Sequence, residues 1–226
     1  MENQFTRTEL LLGAEAMERL RRSRVIVFGV GGVGGYVVEV LARSGVGTLA
    51  LVDNDCVALS NLNRQIIALH STLGRPKVDV LEERIHDINP QCEVRKYQMF
   101  YLPENADAIP LEEYDYVVDC VDTVKAKLDL VRRCHKLQKP FISSMGAANK
   151  LDPTAFRVSD IAKTNNDPLA RVLRKTLRRE GIEHFKVVYS EELPTQRSSD
   201  TLASCAFVPA AAGLVVGGEV VKDLVK

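Results

Sequence analysis

The chain has 226 residues, 46% hydrophobic and 27% charged, with thirty basic against thirty acidic side chains and a formal net charge of zero. That much apolar material suits one well-formed core near the upper size for a single domain. The balanced charge excludes a molecule drawn as a whole toward nucleic acid or an acidic membrane, so any polyanion site must be local. Met1 to Gly13 carries Glu2, Arg7 and Glu9 and lacks the apolar centre of a signal peptide, so a cytoplasmic protein is expected. Cys56, Cys92, Cys120, Cys134 and Cys205 are widely spaced without a CxxC pair, which argues against a disulfide framework and against zinc. Cys120 and Cys205 read as packing residues.

In chain order, Val25 to Phe28 suits a buried strand, the run Gly29-Val30-Gly31-Gly32-Val33-Gly34-Gly35 follows it, and Tyr36 to Arg43 suits a helix. Between a strand and a helix, glycines permit a tight turn and close backbone approach, so N–H groups at the helix start can face a phosphate. Leu49 to Val52 is the next strand and ends at Asp53, where a carboxylate reaches ribose hydroxyls. Asp53 suits a dinucleotide and ATP equally. Arg64 and Lys77 favour ATP, because a triphosphate with an anionic leaving group needs cations that a nicotinamide half does not. Asp55, Asn61 and Gln65 lie between these anchors and join the nucleotide-binding candidates. The plainer readings are a polar turn at Asn61 to Gln65, solvated charges at Arg64 and Lys77, and a helix cap at Asp122. The ordered combination favours an ATP site.

Lys77 to Ile88 carries Val78, Leu81, Ile85 and Ile88 at helical spacing and is closed by Pro90. Cys92 to Tyr97 and Tyr116 to Asp119 follow as strands, Val124 to Leu137 as a helix, and Phe141 to Ser144 as a strand after Pro140. The alternation implies an α/β fold: a Rossmann-like, doubly wound, mostly parallel sheet with additional C-terminal strands and helices. Ligands of such sheets bind at the carboxyl ends of the strands, where Gly29, Asp53 and Asp122 all fall. One domain is expected over 1–226, with a nucleotide-binding part at 1–146 and a substrate and subunit-contact part at 147–226.

In the second part, Ala155 to Val158 and Phe185 to Tyr189 read as strands and Asp167 to Glu180 as a helix. Leu169, Val172, Leu173 and Leu177 form its apolar stripe, while Arg171, Arg174, Lys175, Arg178 and Arg179 cluster away from it. From Lys163 to Lys186 there are seven basic and three acidic residues, an asymmetry that points to a polyanion or to a solvated face. Ala203 to Gly218 is uncharged, but Pro209, Gly213, Gly217 and Gly218 leave it short of a membrane span. A buried helix from Pro209 is expected, its small residues permitting close approach of another backbone such as a partner subunit.

GVGGVGG, LVDND, SNLNRQ, the GRPK segment and DCVDT together resemble the adenylyltransferase fold shared by ubiquitin-activating enzymes and the sulfur-carrier activators of thiamine and molybdopterin synthesis. Within that superfamily, FTRTELLLG, HSTLGRPK, the stretch from Ser143 to Arg178 and FVPAAAGLVVGGEVVKDL are similar to the tRNA threonylcarbamoyladenosine dehydratases, so the resemblance covers nearly the whole chain. It implies that Gly29, Gly31, Gly32 and Gly34 hold phosphates, Asp53 the ribose, and Asn61, Arg64 and Lys77 the triphosphate. Asp122 would bind magnesium. Arg7 matches an amino-terminal arginine that in relatives reaches a neighbouring subunit's ATP, which makes a homodimer the catalytic unit. Both zinc CxxC pairs of the sulfur-carrier branch are missing.

The activity implied is ATP-dependent cyclisation of the threonylcarbamoyl group beside the tRNA anticodon, through an acyl-adenylate, with the cations of the Asp167 to Glu180 helix contacting tRNA. Sulfur-relay proteins stand as further candidate partners. The alternatives are an adenylyltransferase for the C-terminal carboxylate of a ubiquitin-like carrier and a nucleotide-sensing interaction module.

Overall fold

The computed structural model describes residues 3–195 and 202–226. Its strands are β1 (Arg24–Phe28), β2 (Thr48–Val52), β3 (Glu93–Tyr97), β4 (Tyr116–Asp119), β5 (Phe141–Ser144), β6 (Phe156–Asp160) and β7 (Lys186–Ser190). They form one sheet in the order β3-β2-β1-β4-β5-β7-β6, parallel throughout except for β6 against β7. β2 and β4 are buried along their whole length, as continuous apolar strands covered on both faces should be. β3, at an edge, carries Glu93, Arg95 and Lys96, charges that discourage pairing with another chain. The order reverses between β1 and β4, which opens a crevice at their carboxyl ends.

The helices are α1 (Thr6–Leu12), α2 (Ala14–Arg22), α3 (Gly34–Arg43), α4 (Lys77–Ile88), α5 (Val124–Leu137), α6 (Pro168–Arg178) and α7 (Phe207–Leu224). Val25 and Val27 of β1 face a core shared with α2, α3, α4 and α7. Ile26 and Phe28 face the opposite core, made with α5 and α6. The period of two along β1 therefore sets the two layers. Both β6 and β7 join this same sheet, so it runs across the boundary at residue 146. Among the described residues, no helix is long and apolar enough to cross a membrane.

Three details correct the sequence reading. The small residues of α7 serve this chain's own α3: a Cβ at Gly213 would fall 2.4 Å from the Val33 carbonyl oxygen, and one at Gly217 would fall 2.7 Å from Val40 Cβ. Of the three glycines of α7, Gly218 alone faces open space. α7 also starts at Phe207, ahead of Pro209, because N–H groups of the first turn have no helical partner and a proline there costs no bond. In α6 the buried stripe is Ala170, Leu173 and Leu177, whereas Val172 is 46% exposed.

α3 and α4 are joined by Glu39, 8% exposed, which accepts hydrogen bonds from Arg84 and Arg43, both at 2.7 Å. Burial works to raise the Glu39 pKa, but the two guanidiniums prevail and hold it below its ordinary value of 4.5. The carboxylate's contribution is therefore present above pH 4.5 and lost as pH falls through the lowered value. Glu39→Gln should cost about 1 kcal/mol near neutrality, between exposed pairs and buried charged hydrogen bonds. The variant's melting curve should converge with the parent's in acid, which a pH series of thermal melts checks.

Candidate active site

β1 delivers the chain to Gly29, whose φ of +78° lies in the left-handed region. A Cβ there would sit 2.8 Å from the Cys120 carbonyl oxygen beyond β4, so glycine lets the two strand ends touch. A Cβ at Gly34 would fall 1.8 Å from the Gly29 carbonyl oxygen, which closes the start of α3 onto the loop. Val33, the residue preceding α3, makes no side-chain cap. Among the described residues, the N–H groups of Gly31 and Gly32 donate to no acceptor, leaving a helix start equipped for an anion. Gln65 Nε2 lies 3.5 Å from the position of a Gly31 Cβ and Arg64 Cγ 3.4 Å from that of a Gly32 Cβ, so the Asn61 to Gln65 turn covers the glycines. The amino end of α7 touches the same place, with Pro209 Cβ 3.4 Å from the Gly32 position.

Asp53, at the end of β2, accepts from the Val30 and Asp55 N–H groups, each at 2.9 Å, which fixes it across the loop. Lys77 opens α4, is 4% exposed, donates to Asp55 at 2.7 Å and lies 3.9 Å from Asp53. It is therefore a buried ammonium between two carboxylates and not a solvated charge. Asn61 Oδ1 accepts from the Ala58 N–H at 3.0 Å and closes a tight turn, so the polar-turn reading holds for that atom. Arg64 donates to the Ser60 carbonyl and Asn63 Oδ1, both at 2.9 Å. Gln65 is 7% exposed and its Oε1 is buried with no hydrogen-bond partner among the described residues. Such an orphan is costly, and the donor that would satisfy it is a ribose hydroxyl or the adenine amino group, since phosphate oxygens only accept. The donor set fits ATP.

Asp122 is exposed and, among the described residues, accepts only from Thr123 Oγ1, at 3.4 Å. The cap position of α5 belongs to Thr123, so Asp122 is not spent on the helix. Beside this loop lies a cluster that sequence reasoning missed. Asp119, 0% exposed, accepts from Lys127 Nζ at 2.9 Å, Ser143 Oγ at 2.5 Å and the Val121 N–H at 3.1 Å. Lys127, 1% exposed, also donates to the Ser144 carbonyl at 2.7 Å. Its signal was a lysine on the same face as Ala126, Leu130, Val131 and Cys134, a stripe that otherwise reads as core. Burial pushes the Cys120 thiol up to about 12, a poor setting for a nucleophile.

Residues 5–226 match the family model described as ThiF family. The chain belongs to the ThiF family. It is 48% identical over its whole length to the tRNA threonylcarbamoyladenosine dehydratase of Bacillus subtilis (strain 168), covering 96% of that protein. It is 40% identical to the enzyme of that name from Haemophilus influenzae over 79% of this chain and 69% of that protein. The crystal structure of E. coli tRNA N6-threonylcarbamoyladenosine dehydratase, TcdA, in complex with ATP superimposes with a TM-score of 0.92 at 34% identity, over 98% of this chain and 93% of that one.

In this ThiF-family chain the carboxyl edge of the sheet gathers Gly29, Gly31, Gly32, Gly34, Asp53, Asp55, Asn61, Arg64, Gln65, Lys77 and Asp122. It does not gather Arg7. Phe5, two residues away, packs against Gly45 at the far end of α3, about 15 Å from the glycine loop by helix rise. The α6 cations stand on the other layer of the sheet. All five cysteines are free.

Proposed function

We propose that this chain uses ATP to cyclise N6-threonylcarbamoyladenosine beside the tRNA anticodon, with loss of water. The observation that carries the reading is the 48% identity over the whole chain to the Bacillus subtilis dehydratase. The glycine loop and its cations supply the chemistry. The threonine carboxylate attacks the α-phosphorus and pyrophosphate departs. A carbamoyl atom then attacks the activated acyl carbon, AMP leaves with the former carboxylate oxygen, and a proton is released. ATP thus yields AMP and pyrophosphate while the substrate loses the elements of water.

Gly29, Gly31, Gly32 and Gly34 with the start of α3 hold the phosphates, and Asp53 holds the ribose from its place across the loop. Arg64, Asn61 and Lys77 offset charge on the departing pyrophosphate, with Asp55 keeping Lys77 in position. Gln65 offers its unpaired Oε1 to a nucleotide donor. The second step needs no covalent enzyme intermediate, since the ring-closing atom is already in the same group. Asp122, exposed and with Thr123 as its one hydrogen-bond partner among the described residues, has the oxygen donors magnesium prefers, and the ion when bound would neutralise phosphate charge. Asp122→Asn should raise the magnesium concentration needed for half-maximal turnover. Full turnover in excess chelator contradicts a metal role.

The catalytic unit is a homodimer. α1 has no buried residue, Leu10 and Leu11 are 84% and 82% exposed, and Arg7 follows Phe5, which packs at the end of α3 away from its own glycine loop. Mixing inactive Arg7→Ala and Asp122→Ala subunits should restore part of the activity, because one hybrid site then receives both intact residues. Demonstrated heterodimers that stay inactive contradict the shared site. The location suited to this substrate is cytoplasmic. Release of AMP with modified tRNA, but not with unmodified transcript or with a Gly-Gly-ended carrier protein, is the result expected for the reaction as a whole. AMP release with the carrier alone would overturn it.

A further inference from the structure

We propose that the outward face of α6 is the track that holds the phosphates of the RNA substrate, with Arg171, Lys175, Arg178 and Arg179 as its contacts and Arg174 as an internal brace. The inference rests on the tRNA reading above and adds the place and chemistry of the contact. The five cations line one shallow groove of about 510 Å³. Arg174 is not free. It donates to the Thr164 carbonyl at 2.9 Å and to Thr164 Oγ1, so it fastens the segment leading into α6.

Arg171, Lys175 and Arg179 make no ion pair or side-chain hydrogen bond among the described residues, and Arg178 comes only within 3.8 Å of Glu183. Glu180, the one acid at the end of this helix, is turned to Arg132 of α5 and held by two hydrogen bonds at 2.6 and 2.7 Å. Like charges four residues apart, as in Arg171 with Lys175 and Lys175 with Arg179, work against an isolated helix. Arg171 in addition stands near the amino end, where positive charge opposes the helix dipole. A polyanion along the face reverses the first of these costs. In a chain of zero net charge, the local excess matches RNA backbone specifically at this surface.

Position links the track to the reaction. Asp167 caps α6 by accepting from the Ala170 N–H at 2.9 Å and also takes the Gly146 N–H at 3.2 Å, just beyond β5. Lys150, 4% exposed, stands 3.6 Å from the same carboxylate and donates to the Ser190 carbonyl. α6 therefore begins at the carboxyl edge that carries the glycine loop. β5 is two strands from β1, about 10 Å at ordinary strand spacing, and α6 runs about 16 Å from that edge along the flank. A stem held along α6 presents its loop nucleoside toward the ATP site.

The test is tRNA binding across a salt titration by the full-length protein and by a triple Arg171→Gln, Lys175→Gln, Arg179→Gln variant, with KM for tRNA and for ATP measured beside it. Each lost phosphate contact removes about 0.7 to 0.9 from the slope of log affinity against log salt. The variant's slope should be shallower by roughly 2, its KM for tRNA at least about tenfold higher, its ATP binding unchanged and its melting temperature no lower than the parent's. The corresponding Arg-to-Lys exchanges should recover most of the slope. An unchanged slope and KM for tRNA would overturn the track. Arg174→Gln should instead lower the melting temperature. If the parent binds RNA yet never cyclises the modified nucleoside, the reaction reading falls, and the two salt slopes still decide the track.

Discussion

Arg64→Ala and Lys77→Met should each lower kcat/KM for tRNA-dependent pyrophosphate release by about 100-fold or more, with the fold intact. That is the usual cost of removing one preorganised charge aimed at a developing anion. Arg64 covers Gly32 with its stem, and two hydrogen bonds at 2.9 Å from the chain itself fix its guanidinium. Lys77 is buried, so alanine would also open a cavity, whereas methionine keeps the stem and removes the charge. The partner left behind, Asp55, has a side chain 56% exposed and is not stranded in a dry interior. Asp53 keeps its bonds to the Val30 and Asp55 N–H groups. Parental turnover in a well-folded Arg64→Ala protein contradicts the phosphate role.

Lys127→Met acts on stability. Asp119 and Lys127 are 0% and 1% exposed, so removing the ammonium leaves a carboxylate without its cation in the core. Breaking one side of such a pair costs about 3–5 kcal/mol. For a chain of this size that is a fall in melting temperature of roughly ten degrees. Adding Asp119→Asn should recover much of the loss, because a neutral pair no longer strands a charge. Thermal melts of the parent, single and double variants read this directly. A single variant that melts with the parent would show that the pair carries no such energy.

The sequence exposed the strand-turn-helix of Val25 to Arg43 because apolar strand, glycines and amphipathic helix each leave a local mark. It also showed Asp53 at a strand end, since β2 is one apolar run closed by an acid. What stayed hidden depends on contacts across the chain. The position of β7 between β5 and β6 follows from a crossover that no local pattern records. Lys127 reads as one charge on a helix until Asp119, eight residues earlier, is brought beneath it by β4. Gly213 and Gly217 announce close packing but not its partner, and α3 of the same chain proved to be there. Arg174 looked like its neighbours along α6, and only the fold places the Thr164 carbonyl against it. α2 leaves a fainter mark, in the spacing of Glu15 with Arg19 and of Glu18 with Arg22.

The most direct measurement is mass spectrometry of nucleosides digested from tRNA bearing threonylcarbamoyladenosine after incubation with the protein, ATP and magnesium. Conversion of that nucleoside to a product lighter by one water, in step with AMP formation and abolished by Arg64→Ala, is the predicted result. AMP formed from ATP while the nucleoside keeps its mass would contradict it.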